Sequence, residues 1–81
     1  DVSDVAPWIH PNPAHNRIFI QSRPEHRFLF GELYHSSGTC VAFIPQGTTE
    51  WDIRLLPAGM YYLVLTFPNE RTTVPIVIAQ P

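Results

Sequence analysis

Apolar residues recur along this chain in short runs, and clusters of turn residues separate the runs. The longest run, Met60 to Phe67, is apolar or aromatic at nearly every position, which is typical of a central strand buried on both faces. Leu56-Pro57-Ala58-Gly59 precedes it and predicts a tight turn, because Pro57 fixes its own φ and Gly59 tolerates a positive φ. Since proline and glycine enclose only about eight residues here, a strand fits the run better than a helix.

The other runs also have strand periodicity. Thr48 to Arg54 alternates most clearly, with its odd-numbered residues predicted to face the core and its even-numbered residues to face solvent. Val74, Ile76 and Ile78 share one face of the last run, where Pro75 predicts a sheet edge or a bulge because proline cannot donate to a ladder. About seven strands are predicted in all: Trp8-Ile9, Arg17 to Gln21, Arg27 to His35, Thr39 to Ile44, Thr48 to Arg54, Met60 to Phe67 and Arg71 to Ala79.

The burial of two further residues can be predicted. Leu29 should share a face with Gly31 and Leu33, opposite Phe28. Cys40 is the only cysteine, so no internal disulfide can form, and a small buried strand residue is the expected role.

Composition supports an all-β fold. The chain has 81 residues, enough for one domain, and nine prolines, too many for a helical protein of this size. We predict an immunoglobulin-like β-sandwich of about seven antiparallel strands without a helix, spanning residues 8 to 81 after a linker of residues 1 to 7. The chain lacks an initiating Met, a signal peptide and a membrane span, and is expected to be a processed piece of a longer protein.

Charged and chemically reactive residues give little sign of catalysis. The five basic residues are all Arg and the net charge is −2, which disfavours nucleic acid as a partner. The four histidines (His10, His15, His26 and His35) have no metal-ligand spacing and are predicted to be solvated turn residues, so neither a metal nor a cofactor is expected. Glu50 and Asp52 are predicted to lie on a solvated face. The chain is therefore not expected to be an enzyme.

Aromatic residues leave one alternative open. Trp51, Tyr61, Tyr62 and the phenylalanines could form a sugar-stacking surface, although core packing is favoured for most of them. A C-terminal adhesion or carbohydrate-binding module is therefore the second hypothesis for function.

Three segments in order carry a family resemblance. They are P-N-P-A at residues 11 to 14, L-Y-H-S-S-G-T-C-V at residues 33 to 41 and W-D-I-R-L-L-P-A-G-M-Y-Y-L at residues 51 to 63. Together they resemble the C-terminal sorting domain (type A) of the Bacteroidetes type IX secretion system, over roughly residues 8 to 79. The residues that match its motifs, or lie on the last strand where receptor contacts are expected, are Pro11, Asn12, Pro13, Gly38, Leu56, Pro57, Gly59, Tyr61, Val74, Ile76 and Ile78.

The resemblance implies a secretion signal without catalytic activity. It implies that the parent protein passes through the periplasm, crosses the outer membrane through the translocon and is received by an outer-membrane shuttle barrel protein. A sortase would then cut within or before Asp1 to Ala6, or the domain would be retained on the machinery. The parent would end at the outer membrane and cell surface, or be secreted. We also predict that two copies pair through the edge at Arg71 to Ala79.

Overall fold

The computed structural model describes residues 8 to 11 and 13 to 79, and this part of the chain contains strands but no helix. The predicted all-β fold is confirmed, while the predicted linker lies outside the described residues. Within them, no helix is long and apolar enough to span a membrane. The strands are β1 (Trp8–His10), β2 (Arg17–Gln21), β3 (Phe30–His35), β4 (Cys40–Pro45), β5 (Glu50–Asp52), β6 (Gly59–Thr66) and β7 (Arg71–Ile78).

The strands form two antiparallel sheets. One has the order β1-β2-β5 and the other β4-β3-β6-β7. In a constant-type immunoglobulin sandwich the fourth strand joins the first sheet, whereas here β4 pairs with β3, which gives sheets of three and four strands. The predicted edge position of Pro75 is confirmed, because β7 is the outermost strand of the larger sheet.

The core lies between the sheets and is built from alternate strand residues. Ile18 and Ile20 of β2 point into it, as do Ile76 and Ile78 of β7, which confirms the predicted faces of both strands. No polar or charged residue in the described part of the chain is buried. The buried residues are Ile9, Ala14, Ile18, Ile20, Phe28, Leu33, Ile44, Ile53, Tyr61, Leu63, Leu65, Phe67, Ile76 and Ile78.

The predicted burial of Met60 to Phe67 on both faces is wrong. Tyr61, Leu63 and Leu65 point into the core, but Met60 and Tyr62 point away from it and are 38% and 39% exposed. The strand is central in its sheet, as predicted. Its second face is nevertheless uncovered, because the sandwich has only two layers and no element packs against the outside of the larger sheet in the described residues.

The expectations for Leu29 and Cys40 are also wrong. Strand β3 begins only at Phe30, so the alternation does not extend back; Phe28 is buried and Leu29 is 43% exposed. Cys40 is exposed because the β3–β4 register shifts between Leu33 and Tyr34. Leu33 pairs with Ala42 but Tyr34 pairs with Cys40, and this β-bulge turns Cys40 to the outer side of the sheet.

Candidate recognition surface

The turn before β6 is fixed by a tyrosine hydrogen bond. Tyr61, buried at the start of β6, donates from its hydroxyl group to the Pro57 carbonyl oxygen four residues upstream, at 2.7 Å. This contact has the geometry of the tyrosine corner found at the sixth strand of immunoglobulin-like sandwiches. Burial raises the pKa of Tyr61, so the hydroxyl keeps the proton that it donates. Gly59 lies between Pro57 and Tyr61 and has a φ of 154°, a conformation that glycine adopts readily.

The β3–β4 hairpin lies directly against this turn. His35, the last residue of β3, packs its ring edge-on against Tyr61 with centroids 5.1 Å apart. The Ser36 amide donates to the Met60 carbonyl oxygen at 3.0 Å. Gly38 has φ at 99° and closes the hairpin, since its amide donates to the His35 carbonyl oxygen at 2.8 Å. The second and third sequence motifs therefore form one contiguous corner of the domain.

The first motif meets the last strand at the β7 edge of the larger sheet, where Ile78 also pairs with Gly59. Pro11 and Pro13 are exposed, the His10–Pro11 peptide bond is cis, and Asn12 is outside the described residues. Ala14 is fully buried and forms a parallel bridge to Ile78.

Backbone hydrogen bonds at this bridge cover the end of β7. The Ala14 amide donates to the Val77 carbonyl oxygen and the Ala79 amide donates to the Ala14 carbonyl oxygen, both at 2.8 Å. The His15 imidazole adds a third bond, from Nδ1 to the Ala79 carbonyl oxygen at 2.7 Å. The edge of the last strand, where receptor contacts and pairing of two copies were expected, is therefore not open along its whole length, because residues 77 to 79 already pair within the chain.

The proposed recognition residues of the last strand are mostly inaccessible as side chains. Ile76 and Ile78 are each 1% exposed, and Val74 is partly buried against the core. A partner that touches this strand must therefore use its backbone or the outward side chains.

The outward side of the four-stranded sheet, which we call the outer face, carries exposed apolar residues that the alternation did not predict. Phe43 is 59% exposed there and stacks on Phe30 with ring centroids 5.7 Å apart. The exposure of Phe43 could not be predicted from the sequence, because an apolar strand residue can face solvent as well as the core. Strand pairing places the outer-face residues in four rows: Pro45, Phe30, Thr66 and Arg71; Phe43, Glu32, Val64 and Thr73; Cys40, Tyr34, Tyr62 and Pro75; and, at the end, Met60 with Val77.

The three-stranded sheet is more polar and its charges are paired. Arg17 Nη1 lies 3.0 Å from Glu50 Oε1, across the β2–β5 ladder. The Arg54 side chain and backbone amide donate to the Asp52 carboxylate, and these hydrogen bonds lower the pKa of Asp52 to about 2. The prediction that Glu50 and Asp52 lie on an exposed face is confirmed.

A groove runs between β4 and β5, at the adjacent edges of the two sheets. Trp51 forms part of its wall and packs partly against the core, and Leu55, which is 97% exposed, lies at its rim. The remaining lining residues are Val41, Ala42, Asp52, Arg54 and Leu56.

Three of the four histidines are half-buried in ring contacts rather than solvated as predicted, whereas His15 is exposed. His10 stacks on Phe19 with centroids 5.5 Å apart, and His26 stacks on Phe67 at 4.6 Å. No group of three or more metal-ligating side chains occurs within residues 8 to 11 and 13 to 79.

One comparison with known proteins decides the family. A model described as the secretion system C-terminal sorting domain matches residues 8–79, most of the 81-residue chain. The chain belongs to the C-terminal sorting domains of type IX secretion. Neither the curated proteins nor the solved structures gave a significant match. This sorting domain is thus a non-catalytic signal that interacts with the secretion machinery and directs export to the cell surface or the medium.

Some residues that build the sorting domain were not recognised from sequence. Ala14 stood out in the sequence only as the last residue of P-N-P-A, yet it joins this segment to β7. Gly31 lies on the inner side of β3, where an added Cβ would meet Leu65 Cδ2 at 2.8 Å and Ile44 Cβ at 3.3 Å. Tyr61, by contrast, was among the motif residues, and only its hydrogen bond to Pro57 was not predicted.

Proposed function

We propose that the sorting domain is recognised as a folded unit by the type IX machinery. The parent protein passes through the periplasm and crosses the outer membrane through the translocon. An outer-membrane shuttle barrel protein receives it by binding the surface of the sandwich. A sortase then cuts within or before Asp1 to Ala6, unless the domain is retained on a component of the machinery itself.

The convergence of the motifs supports recognition of the fold. Gly38, Pro57, Gly59 and Tyr61 build one corner, in which His35 packs against Tyr61. The first motif is joined to the last strand by the hydrogen bonds of Ala14. These contacts hold the late turn and the hairpin together in one corner. The side chains of both motifs therefore act mainly by stabilising the fold that the partner binds.

Surface display of the parent protein tests this proposal. Deleting Thr73 to Pro81, or replacing Tyr61 by Ala together with Gly59 by Val, removes strand pairing or the corner and should leave the parent in the periplasm. Leu55→Ser is the matched control, because Leu55 is 97% exposed and its replacement should leave display unchanged. Normal surface display of the parent protein after both disruptive changes would contradict the proposal.

Mass spectrometry of the exported parent tests the processing step separately. We expect a new terminus within or before residues 1 to 6 if the sortase removes the domain. An exported parent that still contains residues 8 to 79 supports retention on the machinery.

The carbohydrate-binding alternative predicts a different result. Its binding surface would be the exposed aromatics Phe43 and Tyr62 on the outer face. Glycan-array binding that disappears in Tyr62→Ala, with export unaffected, would favour that alternative.

A further inference from the structure

Strand β4 forms one edge of the four-stranded sheet and has no charged residue along Cys40–Pro45. Sheet edges in native proteins are normally protected against pairing with other strands by charged side chains, proline, bulges or a covering segment. On β4 this protection is confined to the ends, where the bulge lies beside Cys40 and Pro45 is the last residue. The middle of the strand is therefore left unprotected.

The edges formed by β5 and β7 are protected along more of their length. On β7, Arg71 is charged, Pro75 has no N–H to donate, and Ala14 bonds to the end of the strand. On β5, Glu50 and Asp52 are charged. The contrast with these two edges indicates that β4 is the edge available for pairing.

The direction of the backbone groups on β3 follows from hydrogen bonds at its end. The His35 amide donates to the Thr39 carbonyl oxygen on the β4 side, at 2.8 Å. The Ser36 amide donates to the Met60 carbonyl oxygen on the β6 side, at 3.0 Å. Because successive residues of a strand direct their N–H and C=O groups to opposite sides, odd-numbered residues of β3 bond to β4 and even-numbered residues bond to β6.

The same alternation identifies the open backbone groups of β4. Ala42 and Ile44 pair with odd-numbered residues of β3, so their N–H and C=O groups are used within the sheet. The N–H and C=O groups of Phe43, which lies between them, point to the open side, as does the Val41 C=O group. None of these three groups has a hydrogen-bond partner within the described residues. One donor and two acceptors in strand register match the backbone of an extended segment.

The groove between β4 and β5 lies beside these open groups. Val41, Trp51 and Leu56 give it an apolar lining, and its volume of about 610 Å³ is within the range of ligand sites in proteins, roughly 300 to 1,000 Å³. Its two charged residues, Asp52 and Arg54, are paired at 2.7 Å and leave no net charge. The groove therefore suits uncharged, apolar side chains.

We propose that the β4 edge binds an extended, uncharged segment of another protein as an added strand. The backbone of this segment pairs with Phe43 and Val41, at the usual distance of about 4.8 Å between neighbouring strands. Since side chains alternate along a strand, every second side chain of the segment points towards the groove and the others lie beside Phe43 on the outer face. The segment is uncharged because a charged side chain covered here would lose water without gaining a partner. The binding does not depend on the proposed role in export.

Peptide selection tests the proposal. A displayed library of random peptides of about eight residues, within the usual length of a strand, is selected against the folded chain of residues 1 to 81. A reducing agent is present because Cys40 is exposed. We expect the selected peptides to lack charged residues and to have apolar residues at every second position.

Amide hydrogen exchange then identifies the edge. The Phe43 amide should exchange fast in the free chain and more than about tenfold more slowly when a selected peptide is bound. The Ile44 amide should exchange slowly in both states, because it bonds to β3. N-methyl groups on every second residue of the peptide should abolish binding in one frame and preserve it in the other, because only alternate N–H groups face β4.

Two substitutions on β4 are compared with one inside the sheet. Phe43→Pro removes the open N–H but no bond of the β3–β4 ladder, and Phe43→Lys places a charge at the edge. Each should weaken peptide binding more than about tenfold. Tyr62→Lys is the matched control on the outer face, away from the edge, and should leave binding unchanged. Circular dichroism confirms that each variant is folded.

Each of the following results would overturn the proposal. The library could yield no peptide with a Kd below about 1 mM. A selected peptide could bind without slowing exchange of the Phe43 amide, or Tyr62→Lys could weaken binding as much as Phe43→Lys, and the site would then lie elsewhere. Finally, the Phe43 amide could become protected as the concentration of the free chain rises, which would assign the edge to a second copy.

Discussion

Tyr61 connects the late turn, the preceding hairpin and the core. Its ring lies 1% exposed beneath His35, and its hydroxyl group holds the Pro57 carbonyl oxygen. The turn itself was predictable because Pro57 and Gly59 restrict the backbone locally. The role of Tyr61 depends on a histidine 26 positions earlier, which alternation within one strand does not specify.

Removing the hydroxyl group of Tyr61 should weaken the domain measurably. Tyr61→Phe keeps the buried ring but loses the hydrogen bond to Pro57, so the free energy of unfolding should fall by about 1 kcal/mol. Tyr62→Phe is the control on the neighbouring position, since Tyr62 points outward and has no such bond in the described structure. Urea unfolding of both variants measures the difference. Equal stabilities would contradict the assigned role of the hydroxyl group.

The predicted faces of β2 and β7 are correct. Buried isoleucines recur there at every second position, although Phe19 and Val77 on the opposite faces are also apolar. β6 was misread because Met60 and Tyr62 are apolar and exposed. The reversal of Cys40 follows from a bulge between β3 and β4, which depends on the pairing of two strands and leaves no local pattern.

The segment between β1 and β2 adds to the larger sheet although it contains no strand. Ala14 lies outside the strands and is nevertheless bonded on both sides to β7, so the sheet edge is closed there by a single residue. The bridge was not predicted, because a parallel bridge between residues 64 positions apart has no local sequence signature.

Amide hydrogen exchange tests this closure. The amides of Ala14 and Ala79 should exchange slowly, because both donate backbone hydrogen bonds at 2.8 Å. The amide of Leu55, in an exposed loop, serves as the fast-exchanging reference. Exchange of Ala14 at the rate of Leu55 would show that the bridge does not persist in solution.

The whole molecule is a sorting signal presented as a small sandwich. The family match covers residues 8–79 and therefore includes every described strand. The family could be recognised from three short segments in order, whereas the outer face and the Ala14 closure emerged only from the arrangement of the strands. We therefore expect sorting to depend on the integrity of the fold rather than on any one exposed motif residue.

Transfer of the domain to an unrelated passenger tests the central claim most directly. A fluorescent reporter with an N-terminal signal peptide is fused to residues 1 to 81 and expressed in cells that have a type IX secretion system. Accessibility of the reporter to protease added outside intact cells, and its release into the medium, are then measured. We predict export of the fusion and periplasmic retention of a matched fusion in which Tyr61 is replaced by Ala. Retention of the intact fusion in the periplasm, while a known sorting domain exports the same reporter, would contradict this account.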